Sequence, residues 1–162
     1  MKRTGENDKY QGKFENLKGE KIGVVRGYQN TPEFDTLMDQ GFFKITKVKH
    51  DLMNAKMLVN HRLNLIIGDP SVIRYSAAIA DMDEKKRDNI LHKLETVKPV
   101  IQYNHLYYAM SKKKPQWSQT REMLNKALSE FEANGEMFRI IQATNQRCGF
   151  DMETLEPYQR TQ

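Results

Sequence analysis

Short apolar segments alternate with amphipathic ones along the first half of the chain. Lys21 to Arg26 and Leu65 to Ile67 are nearly continuous apolar runs, which is typical of buried strands. The segment from Phe42 to Lys49 alternates apolar with polar residues, as a strand with one exposed face does. Helical spacing between and after these runs predicts helices over 32–40, 51–62, 70–80 and 83–96, and two further strands over 98–104 and 106–110.

Strands that alternate with helices over residues 21 to 80 predict right-handed βαβ units. With the later strands added, the predicted fold is α/β, with a mostly parallel five-stranded sheet flanked by helices. After Pro115 the pattern changes to a long amphipathic helix, Gln116 to Asn134, and Gly135 separates it from a second helix, Glu136 to Thr144. A helical segment therefore follows the α/β part of the chain.

Two polar features follow predicted strands. A turn after Gly27 leads into a helix that opens at Thr31-Pro32-Glu33, and such a helix start offers free N–H groups and a positive dipole end to a carboxylate. Asp69 ends the strand NLIIGD, where its carboxylate can pair with an ammonium group. Ligands of parallel sheets gather at the carboxyl ends of strands, so the two features suit a partner such as an amino acid. Thr31 and Asp69 are also ordinary helix caps, and that structural interpretation stays open.

Composition narrows the function classes. The 162 residues carry a net charge of +5, but the basic residues are scattered, and a solvated surface is favoured over a nucleic-acid track. The tight basic runs are Lys112–Lys114 and Lys85–Arg87. Apolar runs are far shorter than the roughly 20 residues needed to cross a bilayer, so no membrane insertion is expected. The polar residues after Met1-Lys2-Arg3 give no export signal in the chain as written.

No catalytic or metal-binding pattern stands out. The four histidines show no zinc-ligand spacing with one another or with Cys148, and no serine lies in a nucleophile-and-base pattern. We therefore expect no enzyme activity, no metal and no cofactor. The single cysteine excludes an internal disulfide and does not reveal the compartment.

Four segments, in order, resemble a known family, the bacterial solute-binding proteins of amino-acid ABC transporters (family 3, type II periplasmic binding fold). They are ENLKGEKIGVVRGYQNTPEF, DLMNAKMLVNHRLNLIIGD, LYYAMSKKKPQW and SEFEANGEMFRII, and together they cover roughly residues 16 to 142. Members of this family have two lobes joined by two crossover strands, and hinge closure traps the ligand between the lobes.

The resemblance implies that this chain carries the second lobe and the return helices, while the first lobe is missing. The implied divisions are an extended lead-in (1–19), the α/β ligand-binding lobe (20–112), helices that normally pack on the missing lobe (113–145) and a loose tail (146–162). An apolar stripe on those helices would need a cover, which predicts a homodimer or a domain swap through the C-terminal helices. The stripe contains Trp117, Met123, Leu124, Leu128 and Phe131.

The resemblance also implies a site and a setting. The ligand carboxylate would contact Tyr28, Gln29, Asn30 and Thr31, and the ligand ammonium would contact Asp69. The chain departs from the family pattern at Tyr28, where Ser or Thr is usual. The implied setting is periplasmic or extracellular, with an ABC permease as partner and an amino-acid-like ligand. Two alternatives remain: a sensory input domain of the same fold, and a basic nucleic-acid-binding protein.

Overall fold

The structure, a computed structural model, describes residues 1–7, 9–103 and 107–147, and the chain divides into two compact units, Met1–Tyr103 and Asn104–Gln162. A 3₁₀ turn, Phe14–Leu17, precedes the main sheet. In chain order the other described elements are β1 (Lys2–Arg3), β2 (Lys21–Val25), α1 (Pro32–Asp39), β3 (Lys44–Val48), α2 (Asp51–Val59), β4 (Leu65–Ile66), α3 (Pro70–Ala78), α4 (Glu84–His92), β5 (Leu94–Glu95), α5 (Trp117–Ala133) and α6 (Glu136–Arg147).

The first unit is built on a parallel sheet. Its strand order is β3-β2-β4, so β2 is central, and Ile22 is in register with Ile45 on one side and Leu65 on the other. Helices α1 and α2 make the connections between these parallel strands, as βαβ units require. The predicted α/β class and its parallel sheet are confirmed.

The sheet is smaller than the five strands predicted. The described parallel sheet has three strands, while β1 and β5 form a separate antiparallel pair in which Arg3 faces Leu94. The predicted strand over 98–104 does not form in its described part, 98–103, where Pro99 has no N–H for a ladder. Residues 107–110 of the other predicted strand also lie outside any sheet, and 104–106 lie outside the described residues. The predicted helix over 83–96 ends at His92, because Leu94 pairs with β1 instead.

Two hydrophobic clusters cover the two faces of this sheet, as the alternation of side chains along each strand requires. On one face Ile22 packs with Phe34, Phe43 and other residues of the first cluster. On the other face Ile66 packs with helix residues of the second. The first cluster contains Tyr10, Phe14, Leu17, Ile22, Val24, Phe34, Phe43 and Leu65; the second contains Met1, Ala55, Leu58, Val59, Leu63, Ile66, Ile73, Ala77, Ile90 and Leu94.

Helix α2 lies directly against the backbone of β2. A Cβ placed on Gly23 would overlap Asn54 Oδ1 and would lie 2.6 Å from Leu63 Cδ1. Asn54 is completely buried, and neither Oδ1 nor Nδ2 has a hydrogen-bond partner among the described residues. The helix can approach this closely only because position 23 has no side chain.

The described part of the second unit consists mainly of α5 and α6. Helix α5 buries none of its residues, and large apolar side chains are exposed on both helices. They include Met123, Phe131, Phe138, Ile140 and Ile141. Among the described residues, we find no helix that combines the length and the apolar character needed to cross a membrane.

Candidate functional site at the carboxyl edge of the parallel sheet

The turn that follows β2 begins at Gly27. Its φ of 79° lies in the left-handed region, where glycine has no steric penalty. The N–H of Tyr28 donates to Val25 O at 3.3 Å and closes the turn on the strand. The turn is therefore fixed immediately beyond the end of the central strand.

Thr31 makes the N-cap that the sequence indicates. Its Oγ1 accepts a hydrogen bond from the N–H of Phe34 at 3.2 Å, and Pro32 occupies the first helical position. Thr31 is 9% exposed. The Thr31 hydroxyl, which is predicted to contact a ligand carboxylate, thus already accepts a hydrogen bond from the first turn of helix α1.

A carboxylate of the chain itself occupies part of the place where the ligand carboxylate is predicted to bind. Asp35 accepts the backbone N–H of Asn30 at 3.1 Å and the Nδ2 group of the same residue at 3.0 Å. An anion at a helix start is favoured by the helix dipole, and Asp35 supplies one from the first turn of α1. Gln29, the remaining residue of the predicted contact set, is exposed.

Asp69 follows β4, the neighbour of β2, and is exposed. Its Oδ1 accepts from the N–H of Ser71 at 2.7 Å and of Val72 at 3.3 Å, so it is the N-cap of α3. Because parallel strands end at the same edge of a sheet, Asp69 lies at the edge that also carries the 27–31 turn. The structure brings the two predicted features to one edge.

Asp51 is a residue of this edge that the sequence analysis did not select. It follows β3, is 5% exposed and accepts a hydrogen bond from the Tyr28 hydroxyl at 3.2 Å through Oδ2. The charge of Asp51 raises the pKa of Tyr28, because ionisation of the phenol would place two negative charges side by side. A Cβ on Gly68 would lie 3.6 Å from Asp51 Oδ1, so the end of β4 is also close.

The signal for Asp51 was present in the sequence, since an acidic residue follows each of the strands β3 and β4. The sequence pattern gives Asp51 only as the start of the predicted helix over 51–62, where an acidic residue is expected to be the N-cap, and that expectation is wrong. The N-cap is His50, whose Nδ1 accepts from the N–H of Met53 at 3.3 Å, and Asp51 is the first helical residue.

Carboxylates are therefore concentrated at this edge, after β3, after β4 and in the first turn of α1. Such a set suits a ligand group that carries a positive charge and donates hydrogen bonds. Within the described part of the chain, no three His, Cys, Asp or Glu side chains are grouped so that they could hold a metal ion.

An open cleft of about 440 Å³ borders one end of this edge. It is lined by Thr31, Glu33, Tyr10 and Phe14, together with the 99–102 segment. Tyr28 and Asp69 do not line it, so Thr31 is the one predicted site residue that this cleft and the strand-end edge share. Burial, and to a smaller extent the charge of Glu33, raise the pKa of Tyr10 in its wall.

Solved structures that share this architecture include substrate-binding domains. The second substrate-binding domain of a protein assigned as an amino acid ABC transporter of Streptococcus pneumoniae matches 87% of this chain, with a TM-score of 0.55 and 19% identity. Substrate-binding domain 2 of Lactococcus lactis GlnP, in an open conformation, matches 84% with a TM-score of 0.53 and 19% identity. The chain has the fold of these substrate-binding domains.

A third similar structure is an ancestral arginine-binding protein bound to arginine, with 87% of this chain covered, a TM-score of 0.52 and 22% identity. The chain spans 57%, 53% and 56% of the lengths of the three proteins, in the order given. Identities of this size establish the fold alone, and the predicted resemblance in fold is confirmed. No family model and no curated protein matches the sequence.

Proposed function

We propose that this chain is the second lobe, with the return helices, of a solute-binding protein that delivers an amino-acid-like ligand to an ABC permease. The observation that carries the proposal is the pairing of this fold with two ligand-type features at one strand edge, the 27–31 turn and Asp69. The three similar structures are binding domains or a binding protein, which supports a role in binding without chemistry.

The chain's own contacts refine which atoms meet the ligand. Asp69 uses Oδ1 for both cap bonds, which leaves Oδ2 to accept from a ligand ammonium. Asp35 already holds the N–H of Asn30, so we assign the ligand carboxylate to the N–H groups of Gln29 and Thr31. Neither of these two N–H groups has a partner among the described residues.

In the complete protein the ligand would be captured between two lobes and presented to the permease after closure. The work is done by the difference in ligand affinity between the open and closed states, so it requires no covalent step and no cofactor. The setting that goes with this role is periplasmic or extracellular. One lobe supplies only part of the contacts, and we expect this chain to bind amino acids weakly.

Asp69 provides a direct test of the ligand site. We expect millimolar amino acids to shift the ¹H–¹⁵N resonances of 27–31 and 68–69, and Asp69→Asn to reduce this response at least tenfold, because a charge-assisted bond to the ammonium is lost. Asp83→Asn is the matched control, since Asp83 is the N-cap of α4 and accepts from the N–H of Lys86 at 2.9 Å. Asparagine caps helices about as well as aspartate, so each variant keeps its cap and loses one carboxylate charge.

The outcomes separate contact with the ligand from the loss of a charge alone. An equal loss in both variants would mean that Asp69 makes no specific contact with the ligand, and no shift of these resonances by any amino acid would reject the site. Micromolar affinity in titration calorimetry would instead contradict the expectation that one lobe binds weakly.

The exposed apolar side chains of α5 and α6 lead to a prediction about assembly. A contiguous apolar surface rarely stays uncovered, and we propose that a second copy of the chain covers it, by exchange of these helices. Sedimentation equilibrium should give a mass that rises from monomer towards dimer with concentration. Phe138→Glu, at a residue 55% exposed, should shift this equilibrium towards monomer. A monomer mass at every concentration would contradict the proposal.

A further inference from the structure

A long stretch of this basic chain contains no acidic residue. Between Glu95 and Glu122 there is no Asp or Glu, while this stretch carries five basic side chains. They are Lys98, Lys112, Lys113, Lys114 and Arg121. Four of the five lie within residues 112–121, so positive charge is concentrated in this short segment of the second unit.

Four of these cations, Lys112, Lys113, Lys114 and Arg121, lie close to the start of α5. Lys112 Nζ lies 5.7 Å from the centre of the Trp117 ring, and the Arg121 guanidinium lies 5.4 Å from it. A turn fixes the lysines, because the N–H of Lys113 donates to Ser111 Oγ at 3.3 Å and the N–H of Lys114 to Ser111 O at 3.2 Å. All three lysines are exposed. Arg121 has an acidic neighbour only at 4.0 Å, the carboxylate of Glu122.

Exposed aromatic residues precede this cationic group. Tyr107 and Tyr108 are 85% and 76% exposed, and Met110 is 37% exposed. Tyrosine combines an apolar ring with a polar hydroxyl, and it is enriched where proteins meet the boundary between lipid headgroups and water. Lysines beside such residues add attraction to an anionic surface.

We propose that the segment Tyr107–Arg121 is a surface that binds the anionic lipid headgroups of a membrane without spanning it. Three of its four cations are lysines, which act as point charges towards a charged surface. Binding of single-stranded nucleic acid instead relies on open aromatic faces in a basic groove. The Trp117 ring already has two cations against it and is a poor stacking platform, so the rings of Tyr107 and Tyr108 are the exposed aromatic faces that this segment offers to a nucleic acid. The membrane therefore fits this segment better than a nucleic acid does.

Vesicle flotation with the whole chain tests this proposal. We expect binding to phosphatidylcholine vesicles that contain phosphatidylglycerol, little binding to phosphatidylcholine alone, and weaker binding as salt is raised. The triple variant K112Q/K113Q/K114Q should bind about 100-fold more weakly, from the contribution of each lysine at an anionic surface. The matched control is K47Q/K49Q/K56Q, which removes the same charge from exposed lysines of the first unit.

A second variant separates the aromatic contribution from charge. Tyr107→Ser with Tyr108→Ser should lower vesicle binding while leaving its salt dependence unchanged. Equal losses in the two lysine variants would mean that net charge alone drives binding, and this would overturn the proposal. Equal binding to both kinds of vesicle, or no binding to either kind, would overturn it as well. Tighter binding to a single-stranded oligonucleotide than to the vesicles, lost in K112Q/K113Q/K114Q, would assign the segment to nucleic acid and overturn it too.

Discussion

Replacing Gly23 by alanine is expected to lower the free energy of unfolding of the first unit by about 3 kcal/mol, at the upper end of the cost of overpacking. The added methyl group would overlap Asn54 Oδ1 and would lie 2.6 Å from Leu63 Cδ1. Both contacts come from fully buried side chains, so neither can move aside into solvent. To relieve the overlap, α2 would have to move away from the central strand.

A second substitution tests that this contact causes the loss. Asn54→Ala removes the overlapping amide, and we expect the double variant G23A/N54A to recover at least half of the lost stability. By itself N54A should change stability by about 1 kcal/mol or less, because the cavity it leaves is offset by removal of a buried amide without partners. Urea unfolding followed by the ¹H–¹⁵N resonances of β2 gives all three values. Additive losses in the double variant would contradict this explanation.

The sequence predicts the parallel sheet well because each strand there carries its own signal. β2 is a dense apolar run, β3 alternates, and turn residues such as Gly27 and Gly41 bound the elements. The pairing of β1 with β5 was missed because strands of two residues leave no pattern in the sequence. Lys2-Arg3 is held in position by partners that are distant in sequence. Arg3, for example, donates to Leu58 O at 2.8 Å, a contact that no local pattern encodes.

The candidate site, too, could be predicted from the sequence only in part. That the 27–31 turn and Asp69 share an edge follows from parallel strands, and this much was predictable. The sequence does not reveal which groups the chain uses for itself. Asp35 bonds to Asn30 and Thr31 caps α1, so two of the predicted ligand contacts are partly satisfied before any ligand arrives. Such contacts depend on exact side-chain geometry, which a pattern of residue types does not contain.

A larger effect is expected for Phe34→Ala, which should lower the free energy of unfolding by about 4 kcal/mol, as large-to-small changes at buried phenylalanines do. Phe34 is 1% exposed, and its ring stacks on Phe43 at 4.9 Å between centroids and meets Phe14 at 5.7 Å. Its N–H also donates to Thr31 Oγ1, so the same residue anchors helix α1 and the cap beside the turn.

Phe42→Ala is the matched control, because Phe42 also contacts Phe43, at 5.3 Å, but is only partly buried. It should cost about 1 kcal/mol, in proportion to its smaller buried area. In F34A the amides of residues 27–31 should also exchange faster than those of β3, since the turn loses the anchor that holds α1 on the core. Equal costs in the two variants, or an unchanged turn in F34A, would mean that the turn is held by Asp35 and Gly27 alone.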